Sequence, residues 1–131
     1  MEKNDRDQKF DETIAYLKDK GFATESDHYE FKEYSLDLDG ATLEIHMHML
    51  KNGRGFKDCC PRVRFPWIYP RNLHGKIHEF IDIGKPTKEP SPEYIDDVIA
   101  VAKGLRDSVV IPAINAAAFV ETAIKASKTI K

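Results

Sequence analysis

Residues Leu36 to Leu50, LDLDGATLEIHMHML, hold the pair Asp39-Gly40 between two runs in which apolar and polar side chains alternate. Alternation with a period of two marks a strand, and Asp-Gly suits the two left-handed positions of a type I′ turn. A two-residue turn sets the pairing: Leu38 with Ala41, Leu36 with Leu43, Tyr34 with Ile45. One face of the predicted hairpin then carries Tyr34, Leu36, Leu38, Leu43, Ile45, Met47 and Met49, which is the core face. The other carries Phe31, Glu33, Ser35, Glu44, His46 and His48. A slip of one residue would exchange the histidines with the methionines, so the register is strongly specified. Leu36, Leu43, Ile45 and Met47 are expected in the core, with Val63 and Phe65 from the next strand.

The elements on either side follow from local signals. Phe10, Ile14 and Leu17 recur at helical spacing within residues 4–20, and Gly21-Phe22 is a C-terminal cap with its apolar follower. Beyond the hairpin, the glycine-rich Lys51 to Asp58 reads as a turn. A third strand is predicted from about Arg62 to Trp67, and a fourth in KIHEFIDI (76–83). Gly84 to Pro92 is a proline-rich connector. Ser91, Pro92 and Glu93 have the order of an N-cap, a first helical position and a first turn. Ile95, Val98, Ile99, Ala102 and Leu105 make one apolar stripe over 92–106, and Pro112 opens a last helix. The expected fold is therefore a single α+β domain over 1–131: N-terminal helix, four-stranded antiparallel meander, two C-terminal helices.

Composition limits the functions available. The 131-residue chain is 41% hydrophobic and 32% charged, with a net charge of -2. The charges are interspersed, so no nucleic-acid or anionic-membrane surface is announced. No stretch reads as a membrane span and the polar N-terminus lacks a signal-peptide core, which predicts a cytoplasmic protein. Cys59 and Cys60 are adjacent; in a strand they point to opposite faces, one inward and one outward, as two reduced thiols. Neither CxxC nor HExxH occurs.

Arg64 to Pro70, RFPWIYP, followed by RNLHG and KIHEFIDI, brings a family into view. The block Phe65-Pro66-Trp67-Ile68-Tyr69-Pro70 resembles the FP-x-x-YP motif that ends the third strand of the ubiquitin-conjugating (E2) and RWD-like fold. Ser91-Pro92 with the following Ile95, Val98 and Ile99, and the later Pro112 to Ala117, resemble that family's next helical segments. The resemblance implies the same meander and a protein-binding role. Active members carry a catalytic cysteine and a His-Pro-Asn motif after the fourth strand. Here Ile83 to Ser91 reads IGKPTKEPS, without cysteine, histidine or asparagine. The resemblance thus implies a non-catalytic member, since no thioester forms without a thiol.

The polar hairpin face is the other place where chemistry could gather. Glu44, His46 and His48 project together at i, i+2 and i+4, in a spacing that strand-based metal sites use. The register puts Glu33 opposite His46, with Arg62 and Arg64 one strand away. The same pattern suits the solvated side of a half-covered sheet. Glu44 with His46 has the makings of an acid/base pair, but no nucleophile or oxyanion signature accompanies it. No third ligand position follows from the sequence, so no metal and no cofactor are expected.

The first expectation is a protein-interaction module. Its contact surface is the C-terminal helix, where Ile114, Ala117, Phe119, Val120, Ala123 and Ile124 spread too widely to face one sheet, with or without the corner at Trp67 and Tyr69. The assembly is then a homodimer or a partner complex; otherwise the preceding helix covers the second face. The alternative function is a small-ligand or metal-binding protein, or an enzyme, using Glu33, Glu44, His46, His48, Arg62 and Arg64.

Overall fold

A computed structural model describes residues 5–28, 31–50, 56–66 and 78–129. The order is α1 (Asp5–Asp19), β1 (Ala23–His28), β2 (Phe31–Asp37), β3 (Thr42–Met49), β4 (Phe56–Pro66), β5 (His78–Asp82), α2 (Pro92–Leu105), a π-helical turn (Arg106–Val110) and α3 (Ile111–Thr129). The strands form one antiparallel sheet in the order of the chain, β1 to β5.

The hairpin has the predicted register. Leu36 pairs with Leu43 and Tyr34 with Ile45, while the Leu38 amide donates to the Ala41 carbonyl at 2.8 Å. Asp39 (φ 60°) and Gly40 (φ 120°) both take positive φ, and the Asp39 amide donates to the Asp37 carboxylate. Leu43, Ile45, Met47, Val63 and Phe65 are buried as expected, with Tyr34 and Leu38; Leu36 is only half-buried. Against this face lie Phe10 and Leu17 of α1 and Ile95, Val98 and Ala102 of α2. The Tyr16 hydroxyl of α1 donates to Asp96 of α2.

Both predicted helix caps are present. The Phe22 amide donates to Leu17 and the Gly21 amide to Lys18, with Gly21 at φ 93°, and these two hydrogen bonds close α1 over a buried Phe22. Extended Ser91 accepts from the Tyr94 amide at 3.1 Å and opens α2.

Three features depart from expectation. The meander has a fifth strand, β1, whose sequence ATESDH offers no apolar alternation because it is an exposed sheet edge. β4 begins at Phe56, so Phe56 to Asp58 are strand where a turn was predicted; Lys51 to Gly55 lie outside the described residues. Pro61 is accommodated in this strand. Its carbonyl accepts from the Ile83 amide, which places the missing N–H on the same side, away from β3.

The third departure is at the C-terminus. The two predicted helices are one continuous helix, Pro92–Lys128, of 37 residues. Pro112 lacks an amide and its ring would press on the carbonyl four residues back. The preceding turn widens instead, with the Ile111 amide donating to Arg106, and the chain passes the proline without breaking. This turn rests on the hairpin: an Arg106 guanidinium N–H donates to the Leu38 carbonyl, and the Ile111 side chain lies 3.4 Å from where a Cβ on Gly40 would sit.

Two glycines should respond oppositely to the same substitution. Gly40→Ala forces a side chain into a positive-φ position and should cost about 1–2 kcal/mol. Gly104→Ala sits in α2 with open space around it and should add about 0.5–1 kcal/mol. Urea midpoints of the two variants against the parent check this.

Candidate functional site

The polar face of β2, β3 and β4 gathers two adjoining clusters, built by the same register. Glu44 pairs with Arg62, Thr42 with Arg64, Glu33 with His46, and His48 with Asp58. Side chains two residues apart on a strand project together, so all of these point away from the helices.

The first cluster centres on Glu44, whose side chain is 4% exposed. The Arg62 guanidinium donates to its carboxylate at 2.8 Å, and Arg64 stands 3.6 Å away. Arg62 also lies over the Phe80 ring, 3.9 Å from its centroid. His46 Nε2 is 3.5 Å from both Glu33 and Glu44, too far for a well-formed hydrogen bond. It is a buried polar atom with no hydrogen-bond partner among the described residues. Burial, and then the Arg62 guanidinium, lower the affinity of His46 for a proton, against the opposing pull of the two carboxylates. The Phe31 ring packs edge-on to His46, with centroids 5.1 Å apart.

Both guanidiniums pair with the one buried carboxylate, Glu44, and a carboxylate paired this way needs no further ion. Arg62 and Arg64 also oppose a cation at Glu44. Glu33, Glu44 and His46 hold their donor atoms within 4.8 Å of one another, but the arginines make this a closed network rather than a metal cage.

The second cluster combines one predicted residue with two that the sequence did not single out for this face's chemistry. His48 Nδ1 lies 2.6 Å from Asp58 Oδ1, and Cys60 Sγ is 3.7 Å from each of those atoms. The expectation for the cysteines holds: Cys59 is buried on the core side and Cys60 is half-buried on the polar side. Burial raises the proton affinity of both thiols, and Asp58 adds to the effect at Cys60. Cys60 is therefore no activated nucleophile. The geometry agrees, because Asp58 and Cys60 approach the same ring nitrogen, whereas a Cys–His–Asp relay needs one partner on each nitrogen.

Of the residues expected to bind, Glu33, Glu44, His46, Arg62 and Arg64 converge, and His48 joins Asp58 and Cys60. Trp67 and Tyr69 lie outside the described residues. Lys51 to Asp58 reads as a turn, which hides Asp58 of β4; the Glu-His-His alternation of β3 is the one sequence signal that a partner strand completes a cluster. No family model matches the chain, and no curated protein or solved structure matches it significantly.

The displaced titration of His46 has a consequence for stability. Its folded-state proton affinity lies below the ordinary value of 6.5, so between the two values the unfolded chain binds more protons and stability falls as the pH falls. His46→Gln should therefore lose less stability than the parent between pH 7.5 and pH 5.5, compared by urea midpoints.

Proposed function

We propose that the protein is a non-catalytic interaction module that pairs with a second copy of itself through the exposed face of α3. The observation that carries this reading is the apolar seam Val109, Pro112, Ala116, Phe119, Ala123 and Ala126, at alternating spacings of three and four residues. That is the period by which one helix packs along another. Phe119 is 74% exposed and Val120 is 40% exposed. The half-buried Ala113, Ile114, Ala117 and Ile124 lie on a different face. Because α2 and α3 are continuous, α2 does not fold back over this seam.

The seam suits a second copy. Phe119 stands at its centre with the small Ala116 and Ala123 on either side, so an antiparallel pair related by a two-fold axis would seat a large residue among small ones from both directions. The 37-residue helix is also long and apolar enough to cross a membrane, by length and composition alone, contrary to the expectation that no stretch qualifies. Asn115, Glu121, Thr122 and Lys125 on the same helix favour a protein partner.

The E2/RWD-like resemblance belongs to this proposal. A helix, sequential antiparallel strands, a strand ending at Phe65-Pro66 and a helix opening at Ser91-Pro92 support it; β1 is additional to the four-strand pattern. Ile83 to Ser91 contain no thiol, Cys59 is buried and Cys60 sits within β4, which supports a non-catalytic role in a reducing, cytoplasmic setting.

Sedimentation equilibrium tests the reading. The parent should be a dimer at micromolar concentration. Phe119→Asp, at an exposed position, should keep the far-UV circular dichroism while weakening association about thirtyfold or more. A monomeric parent would overturn self-pairing, and co-flotation of that monomer with lipid vesicles would assign the seam to a membrane.

A further inference from the structure

We infer that His48, Asp58 and Cys60 form a binding site for a divalent transition cation of the zinc class, independent of the association surface on α3. The three side chains bring one nitrogen, one oxygen and one sulfur donor to a single point on the polar face of β3 and β4. Imidazole, carboxylate and thiolate together are the donors that select zinc and its neighbours over calcium or magnesium.

The spacing fits such an ion. A tetrahedral centre about 2.3 Å from sulfur and about 2.0–2.1 Å from nitrogen or oxygen separates the sulfur from the other donors by roughly 3.5 Å. Cys60 Sγ lies 3.7 Å from both His48 Nδ1 and Asp58 Oδ1. The 2.6 Å contact between His48 and Asp58 would open to roughly 3.3 Å as the ion replaces the shared proton.

The register places His48 opposite Asp58 as a cross-strand pair, and Cys60 adds a sulfur donor at the same ring nitrogen. A catalytic relay would place Asp58 and Cys60 on different ring nitrogens, and here both meet Nδ1. No arginine pairs with Asp58 among the ion pairs of the described residues, in contrast to Glu44 nearby. His48 is 40% exposed in its side chain, so the cluster opens to solvent and an ion would keep one coordination position for water or a ligand. The Phe31 ring lies against His48, with centroids 5.6 Å apart.

The test uses the full chain, reduced and stripped with chelator, titrated with cobalt(II) and then zinc(II). The expected result is one cobalt per chain with a thiolate-to-cobalt absorption band that one equivalent of zinc abolishes. His48→Gln and Cys60→Ser should each weaken binding about tenfold or more, and His46→Gln should leave it unchanged. Zinc should also protect one thiol of the parent chain from alkylation, a readout that requires no variant to fold. Absence of the cobalt band, a band that survives Cys60→Ser, loss with His46→Gln alone, or no thiol protection by zinc would each overturn the inference.

Discussion

The two residues at Asp39-Gly40 carry the constraint on which the rest depends. Both adopt positive φ, and this conformation admits only one pairing of β2 with β3. That pairing sends Leu43, Ile45 and Met47 to the helices and Glu44, His46 and His48 to the other face. A second ladder, between β3 and β4, sets which β4 residues meet them. The same turn then serves as a seat for the C-terminal helix, through Leu38 and Gly40. The division of β3 between core and polar face, and the seat of the helix, both descend from one reversal of the chain.

How much of this was readable follows from where the physical signals are local. The hairpin, the α1 cap and the α2 start are each specified within a few residues, and each stands as predicted. β1 was invisible because an exposed edge needs no apolar alternation. The first half of β4 was hidden by nearby glycines and by Pro61, whose missing donor matters only on one side of the strand. Periodicity alone does not distinguish a break from a widened turn, so Pro112 reads as the start of a second helix although the helix is continuous. The site was readable on β3 and obscure on β4, where Asp58 and Cys60 gain meaning only from the strand beside them.

The polar face shows how neighbouring clusters of similar composition come to differ in chemistry. Glu44 is buried, and burial of a charge is tolerable only with close counter-charges, which Arg62 and Arg64 supply. Its electrostatics are satisfied from within. His48, Asp58 and Cys60, a few residues along the same strands, are more open and share no arginine among the described ion pairs. The difference arises from a shift of two or four residues along the β3–β4 ladder.

The widened turn at Arg106–Val110 also acts as a phase shifter. Each residue in a helix advances the azimuth by about 100°, and a π-helical turn accommodates one residue more than the regular α repeat would. The azimuth that α2 presses onto the sheet is therefore not carried on into α3, as it would have been had the winding been regular. Two surfaces with different duties, one inward and one outward, are carried on a single rod by an offset in its thread. Loss of one residue in that turn would bring the two halves back into step and swing the seam around the axis. The azimuth of α3 is thus set before its first residue, in the turn that already carries Val109.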